Sequence, residues 1–320
     1  MHSEMYDVAI VGGGPAGLSA GIWLARYKHR VILIDSGDPR NWETRGVNGF
    51  LGLPHIRPAE LRGIGRDEVR SFGVELVDGT CERVACHDDE HFQLLLGDGR
   101  AVDARRLLLA IGLKDVWPDI PGLEHVYGAS AHVCPDCDGW DCTAKKVVVL
   151  GKGRRAVGMA LDLTTWTDEI IICTNGAPAD LDLPEYCQKL DALNIPVLES
   201  PITCVKHHGS QLQSIEFEDG LQLDADKIFF AIGQYPADDL GAQLGCERDD
   251  GGHVIVDEHY RTSVRNCYAA GDIIPGAQLA VAAAGDGAIA ALAIHKSLVP
   301  AARALEPLAS AAASASAAGR

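Results

Sequence analysis

The order of hydrophobic and polar positions at the start of the chain predicts a βαβ unit. A continuous apolar run, YDVAIV at 6–11, is typical of a parallel strand that is covered on both faces. A glycine-rich segment at 12–17 follows at once, and then come the helical pattern LSAGIWLARY and a second apolar run at 30–35. We therefore expect a strand, a glycine-rich turn, a helix and a second strand in direct succession.

The same succession starts again near the middle of the chain. The run KKVVVL at 145–150 leads into GKGRRA at 151–156, a helical stretch MALDLTTW and a further apolar run, EIIICT at 169–174. Similar exit segments end the two halves, LLLAIG at 107–112 and IFFAIG at 228–233. This pairing indicates an internal duplication of a dinucleotide-binding fold.

The predicted fold class is α/β, with two Rossmann-like three-layer domains of which the second is inserted in the first. We place the first domain at 1–115 and again at 242–299, and the inserted domain at 116–241. Near the end of the first domain, a short strand and a Gly-Asp turn lead into a long helix of small residues, which needs a close packing partner. Residues 300–320 are rich in Ala and Ser and are expected to form a low-complexity tail without chemistry.

The charge balance narrows the range of partners. The formal net charge of the 320 residues is −17, which argues against nucleic acid and anionic membranes. The N-terminus lacks the pattern of a secretory leader, and no segment has the length of a membrane span. Ten cysteines spread over the chain do not resemble a secreted disulfide framework, so we expect a cytoplasmic protein with mostly free thiols.

The first glycine motif has the context of a dinucleotide site. Gly12 permits a tight turn, Gly14 lets the backbone approach a pyrophosphate, and Gly17 lets helix and strand pack closely. Asp35 ends the second strand and is placed to accept hydrogen bonds from an adenosine ribose. The alternative is a tight turn that binds nothing, but strand, glycines and acid together favour the nucleotide.

The second glycine motif is weaker. It keeps Gly151 and Gly153 but has alanine in place of the third glycine. The strand that follows runs into CTNGAPAD at 173–180, which supplies neither an acid for a ribose hydroxyl nor an Arg cluster for a 2′-phosphate. Arg154 and Arg155 are candidates for phosphate contacts and are equally well explained as solvated surface charges.

Between the two motifs, the segment SAHVCPDCDGWDC at 130–142 contains three cysteines and one histidine. A zinc site would use His132, Cys134, Cys137 and Cys142, but no second ligand pair follows at the usual distance. An inert disulfide is disfavoured, because a loop this short removes little entropy from the unfolded chain. A redox-active pair formed by Cys134 and Cys137 is the leading hypothesis.

Two neighbours of the cysteine pair are candidates for proton chemistry. Asp138 is placed to exchange a proton with a leaving or attacking thiolate, and on residue type alone it is equally suited to cap a helix. His132 would tune the thiolate through its charge, although a single histidine near an apolar segment is more often structural. We rank it as a secondary candidate.

The order of four motifs resembles the low-molecular-weight thioredoxin reductases. These motifs are GGGPAG at 12–17, CPDCDG at 134–139, GKGRRA at 151–156 and YAAGD at 268–272. The resemblance covers residues 5–299. It implies that the first fold binds FAD and that the inserted fold carries both a pyridine-nucleotide site and the cysteine pair.

The resemblance also implies roles for single residues. Gly12, Gly14, Gly17 and Asp35 would bind the ADP half of FAD, and Asp272 would hold the ribitol chain. A helix that begins near Leu279 would point its N-terminus toward the isoalloxazine. The full set of further flavin-binding candidates is Asn48, Gly271, Asp272, Leu279 and Ala280. In the inserted fold the nucleotide-binding candidates are Gly151, Gly153, Arg154 and Arg155.

For catalysis, the resemblance implies that Cys137 lies nearest the flavin, that Cys134 attacks the substrate disulfide and that Asp138 is the acid. It also implies a homodimer and an inserted domain that swings. The expected reaction is reduction of a thioredoxin-like or small-molecule disulfide by electrons that arrive through FAD.

One departure argues against NADPH as the electron donor. Relatives that use NADPH carry an HRRxxxR stretch where this chain reads CTNGAPAD. The segment His132-Val-Cys134, which leads into the cysteine pair, and the aromatic Trp140 after it resemble a divergent branch of the family. That branch includes the gliotoxin-type dithiol oxidases. Oxidation of a small dithiol with oxygen as acceptor is therefore one alternative, and a non-enzymatic flavin and dithiol redox sensor is another.

Overall fold

The computed structural model describes residues 5–88 and 91–303. The strands in this part of the chain are β1 Tyr6–Val11, β2 Val31–Asp35, β3 Glu75–Asp78, β4 Cys81–Asp88, β5 His91–Leu96, β6 Ala101–Leu109, β7 Leu113–Asp115, β8 Ala131–His132, β9 Val147–Gly151, β10 Ile170–Cys173, β11 Val197–Leu198, β12 Ile202–His208, β13 Gln211–Phe217, β14 Gln222–Asp224, β15 Lys227–Ala231, β16 Gln234–Pro236 and β17 Cys267–Ala269. The helices are α1 Pro15–Arg26, α2 Pro58–Ser71, α3 Pro135–Asp138, α4 Gly153–Leu163, α5 Pro184–Ala192, α6 Leu240–Gln243 and α7 Ala280–Leu298. The predicted Ala/Ser-rich tail lies outside the described residues from position 304 onward.

The first glycine-rich turn follows β1, a strand of a seven-stranded sheet. β3, β2, β1, β6 and β17 pair in parallel in that order, and β5 and β4 continue antiparallel from the first half of β6. All five residues of β2 are buried, as expected for a parallel strand with both faces covered. Separate apolar clusters cover the two faces, so the sheet is the middle layer of three.

The small-residue helix α7 packs against α1 on one face of this sheet. A Cβ atom at Gly287 would lie 2.0 Å from the backbone oxygen of Ala16, a distance at which atoms overlap. The run of Ala and Gly in α7 therefore allows the two helix backbones to approach closely. This contact brings the last described helix back beside the first one and places its N-terminus near the glycine-rich turn.

The second fold is built on a sheet of five parallel strands. Their order is β11, β10, β9, β15 and β8, and apolar clusters again cover both faces. A three-stranded antiparallel sheet formed by β12, β13 and β14 packs on one side. The predicted fold class, α/β with two Rossmann-like units, is confirmed, whereas the exact domain boundaries stay a prediction.

A two-stranded antiparallel ribbon connects the two folds. The chain leaves the first fold through β7 and returns through β16, and these strands pair with each other, Leu113 opposite Pro236 and Asp115 opposite Gln234. The paired crossing strands fix where the second fold emerges from the first.

Among the described residues, no helix combines the length and apolar character needed to cross a lipid bilayer.

Just after the ribbon, the carboxylate of Asp238 is largely shielded from water in the folded protein. Its Oδ1 accepts a hydrogen bond from the backbone N–H of Leu240 at 3.0 Å. Burial raises the pKa of Asp238 from 3.8 to about 6. Because folding favours the protonated form, the stability contributed by this group is complete below pH 3.8 and is lost as the pH rises through about 6.

We predict that Asp238→Asn raises the free energy of unfolding at pH 7 by an amount on the order of 3 kcal/mol, because the neutral amide accepts the same bond without burying a charge. The gain should disappear at pH 4. Thermal melts of both proteins across this range measure it. Asp219→Asn is the matched control, since Asp219 is exposed and accepts the N–H of Leu221 at 2.9 Å. A gain that does not change with pH would contradict the assignment.

Candidate active site

A single cleft runs from the first glycine-rich turn to the cysteine pair. It encloses about 1320 Å³ of space, part of it open to solvent. Its walls come from the turn after β1, the end of β2, the loop around Asn48, the Gly-Asp turn before α7 and the start of α3. Five segments that are separated along the chain thus meet in one cavity at the carboxyl ends of the parallel strands, where open α/β sheets bind ligands.

The three glycines of the first motif have different physical roles. Gly12 has φ +108°, and a Cβ there would lie 2.1 Å from the oxygen of Ala110. A Cβ at Gly17 would lie 1.8 Å from the oxygen of Gly12. A Cβ at Gly14 meets no protein atom within 4 Å and would instead project into the cleft. The outer glycines are required by the protein itself, and the middle one keeps space for a ligand at the N-terminus of α1.

Asp35 lines the cleft at the end of β2, as predicted, but its carboxylate already has strong partners. It is 5% exposed and forms ion pairs with Arg62 and Arg66. Its Oδ1 also accepts the N–H of Gly37 at 3.2 Å. Neither arginine was among the residues predicted from the sequence, although their spacing of four residues on α2 puts them on one helix face. They pair with a buried acid at the edge of the cleft.

The Gly-Asp turn and the start of α7 form the far wall of the cleft. Gly271, Asp272, Leu279 and Ala280 all line it. Leu279 is the N-cap of α7, so the free backbone N–H groups of that helix face the cleft. Burial raises the pKa of the Asp272 carboxyl, and the ion pair with Arg40 opposes that effect.

Arg40 holds this wall to the connecting ribbon. Its guanidinium group binds both oxygens of Asp115, at 2.6 and 2.7 Å, and lies 3.3 Å from Asp272. It also donates to Oε1 of Gln278 at 2.7 Å, and Gln278 exchanges two amide hydrogen bonds with Gln234 at 2.9 Å. The local sequence SGDPRN gave no signal of this role, because all partners are remote in the chain.

The cysteine pair forms the other end of the cleft. Cys134 and Cys137 are joined by a disulfide with a Cα–Cα separation of 5.3 Å, and both residues line the cavity. Cys134 is the N-cap of α3, and its sulfur accepts the backbone N–H of Cys137 at 3.1 Å. That bond would stabilise negative charge on the sulfur of Cys134 after reduction.

Asn48 connects the loop of the first fold to the cysteine pair. Its Nδ2 donates to the backbone oxygen of Cys137 at 2.9 Å, and its Oδ1 lies 3.0 Å from Nδ1 of His55. Asn48 also lines the cleft. The structure therefore puts this predicted flavin contact beside the disulfide.

The two predicted proton groups occupy different positions. Asp138 lines the cleft next to Cys137, whereas His132 is buried behind it, with Nδ1 3.3 Å from Asp138 Oδ2. Cys142 is a buried free thiol whose sulfur donates to the backbone oxygen of Asp138 at 3.6 Å. In the described part of the chain, no group of three or more His, Cys, Asp or Glu side chains is arranged to hold a metal ion.

The second glycine-rich turn is closed by its own chain. The N–H of Gly153, at the start of α4, donates to the backbone oxygen of Ala179 at 2.9 Å. Nζ of Lys152 pairs with Asp180 at 2.6 Å. These contacts occupy a backbone donor and a cation that a pyrophosphate would need.

The loop that closes this turn is anchored on both sides. Oδ1 of Asn175 accepts the N–H of Ile202 at 2.8 Å, and the N–H of Ala179 donates to Glu199 at 2.8 Å. Arg154 and Arg155 are exposed, and Arg155 donates to the backbone oxygen of Ile232 at 3.1 Å. The candidates of the second fold, Gly151 included, lie outside the first cleft.

Comparison with known proteins agrees with this geometry. The family model described as pyridine nucleotide-disulphide oxidoreductase matches residues 6–287. The chain belongs to this family. It is 31% identical over 281 residues to the thioredoxin reductase tcpT of Claviceps purpurea, which covers 84% of this chain and 87% of that protein. It is 28% identical over 306 residues to the thioredoxin reductase of Aquifex aeolicus, over 92% and 94% of the two chains.

Among solved structures, HlmI superposes with a TM-score of 0.87 at 32% sequence identity, over 93% of this chain and 94% of that one. This pyridine nucleotide-disulphide oxidoreductase is thus an enzyme of the thioredoxin reductase-like group, which includes fungal members such as tcpT. The family implies FAD, with NAD(P)H as the usual partner. The first cleft fits the flavin nucleotide, because the protein leaves the Cβ position of Gly14 open at a helix N-terminus.

We predict that Gly14→Ala weakens FAD binding by roughly tenfold or more, about 1.4 kcal/mol, without unfolding the protein. Gly14 has φ −79° and ψ −174°, so alanine fits the backbone, and the added methyl would occupy only ligand space. Fluorescence titration of FAD into flavin-free protein measures the loss. Gly158→Ala in α4 is the matched control, because its Cβ also meets no atom within 4 Å but lies outside the cleft. Equal affinity in Gly14→Ala and the control would refute this assignment.

Proposed function

We propose that this chain catalyses FAD-linked dithiol–disulfide exchange, with Cys134 and Cys137 as the exchanging pair. The observation that carries the proposal is their position in the wall of the cleft that begins at the first glycine-rich turn. Bound FAD would supply two-electron oxidation or reduction of the pair. Gly14 and the N-terminus of α1 would hold its pyrophosphate, with Gly12 and Gly17 shaping the turn. Asp35 would hold its ribose, and Asp272 with the N-terminus of α7 the opposite half.

The protein's own groups suit the exchange steps. A thiolate of a reduced substrate attacks the sulfur of Cys134, the disulfide breaks, and Cys137 leaves as a thiolate. A second substrate thiolate then attacks the substrate sulfur and releases Cys134, so one dithiol becomes a disulfide and the cysteine pair gains two electrons. Asp138, which lines the cleft next to Cys137, would take and return the proton at the sulfurs. The reverse sequence reduces a disulfide.

The relatives and the disulfide that lines the cleft support two kinds of candidate substrate. Two relatives are named thioredoxin reductases, which supports a thioredoxin-like protein as one candidate substrate. A small-molecule dithiol or disulfide is the other. The homodimer and the cytoplasmic location stay predictions of the sequence.

A second candidate, the dithiol oxidase, is favoured by the closed second glycine-rich turn. Ala179 and Asp180 occupy the donors that a nicotinamide dinucleotide would need, and the loop that carries them is anchored by Asn175 and Glu199. Electrons would then enter from a dithiol substrate, and molecular oxygen would accept them with peroxide as the product.

An anaerobic titration separates these directions. We predict that excess NADPH or NADH leaves the visible absorption band of bound FAD unchanged, because the second turn is closed, whereas dithiothreitol bleaches it. Readmitted oxygen should restore the band and yield peroxide. Rapid bleaching by NADPH would instead support the reductase, and bleaching by neither reagent would support a sensor.

Substitution of the cysteines tests the exchange itself. Cys134→Ser and Cys137→Ser should each lower dithiol–disulfide turnover by at least roughly 10³-fold, because each removes a sulfur that must change partners. Both variants should still bind FAD. Cys142→Ser is the matched control, since that buried thiol belongs to the same segment but faces the backbone oxygen of Asp138. Full turnover in both pair variants would end the proposal.

A further inference from the structure

A line of polar side chains leads from Asp138 through the buried His132 to Lys227. Asp138 Oδ2 lies 3.3 Å from Nδ1 of His132, and Nε2 of the same ring lies 3.2 Å from Nζ of Lys227. Nζ of Lys227 also donates to the backbone oxygen of Ala129 at 2.8 Å. The side chains of His132 and Asp138 are 5% and 13% exposed. The dithiol chemistry described above gives no role to Lys227.

The contact with Lys227 determines which ring nitrogen of His132 carries the hydrogen. A lysine ammonium group has three donors and no acceptor, so the nitrogen that faces it must offer a lone pair. In a neutral imidazole, the hydrogen then sits on the other nitrogen. Nδ1–H of His132 is therefore directed at the carboxylate of Asp138.

The other neighbours of the ring leave this arrangement undisturbed. The ring of Phe229 packs on His132 with centroids 5.5 Å apart and supplies no hydrogen-bonding group. The thiol of Cys142 is engaged with the backbone oxygen of Asp138, and burial raises the pKa of Cys142 to about 11, so the thiol stays uncharged at neutral pH. Neither group competes with Lys227 for Nε2.

We propose that Lys227 is a positioning residue for the dithiol chemistry. It fixes the tautomer of His132, and His132 in turn holds the carboxylate of Asp138 beside the Cys134–Cys137 pair. The proposal rests on the proposed function, because Asp138 needs a fixed orientation only if it exchanges protons with these sulfurs. One oxygen of Asp138 is held by His132, which leaves the other for a cysteine or substrate thiol.

Nuclear magnetic resonance tests the tautomer directly. In protein with ¹⁵N-labelled histidine, long-range ¹H–¹⁵N spectra distinguish a ring nitrogen that carries hydrogen from one that does not. We expect a single form with Nδ1–H at His132, assigned by the signals that His132→Gln removes. Lys227→Met should lose this fixed form. Lys227→Gln, which keeps a donor without the charge, should retain it in part.

Kinetics test the consequence for the sulfurs. The rate at which dithiothreitol bleaches bound FAD should fall about tenfold in Lys227→Met, less than the roughly 10²–10⁴-fold of a direct acid–base group. Lys227→Gln should recover part of that rate. Lys145→Met is the matched control, since Lys145 is exposed and its replacement changes the net charge equally.

Three results would overturn the proposal. They are an Nε2–H tautomer in the unmodified protein, an unchanged tautomer and rate in Lys227→Met, or equal losses in the Met and Gln variants. The first of these needs no Lys227 variant, so the proposal can still be overturned if Lys227→Met fails to fold. Full turnover in Cys134→Ser and Cys137→Ser would refute the proposed function while leaving the tautomer measurement valid, so the two failures are distinguishable.

Discussion

The ion pairs of Arg40 join the parts of this molecule that have to act together. The guanidinium group binds Asp115 on the connecting ribbon and Asp272 on the wall of the cleft. Its side chain is 15% exposed, so the paired charges are largely withdrawn from water. Such a group contributes little net stability, but loss of one partner leaves the other charge buried and unpaired. This contact therefore joins the connecting ribbon to the wall of the first cleft.

The two glycine-rich turns share a backbone motif but differ in their contacts with the rest of the chain. After β1, a Cβ at Gly14 would meet no protein atom within 4 Å, and the N-terminus of α1 lines the cleft. After β9, the backbone oxygen of Ala179 takes the corresponding N–H, and Asp180 neutralises Lys152. The strands, turns and helices are alike in both halves. In the second half, the short loop that follows β10 supplies these two contacts.

The chemistry of the cysteine pair is likewise assembled from several segments. Asn48 of the first fold fixes the backbone of Cys137, while His132 and Lys227 stand behind Asp138 on neighbouring strands of the second fold. β8 and β15 pair in parallel and bring these two residues together although 95 positions separate them. The disulfide thus lines the cleft, and the neighbouring Asp138 is held by His132.

Sequence alone determined the local features of this protein. The period of apolar residues and the spacing of glycines predicted both Rossmann-like units, and the order of four motifs identified the family. These features are local because a strand, a tight turn and a helix follow from the steric needs of adjacent residues.

Tertiary structure alone decided the partners. It paired Asp35 with two arginines of α2, placed Asn48 against the disulfide, moved His132 behind Asp138 and closed the second turn with Ala179. These contacts join residues whose separation along the chain bears no relation to their distance in space. The direction of a buried hydrogen bond is fixed by whichever donor or acceptor the fold brings within reach, and no short stretch of sequence contains that information.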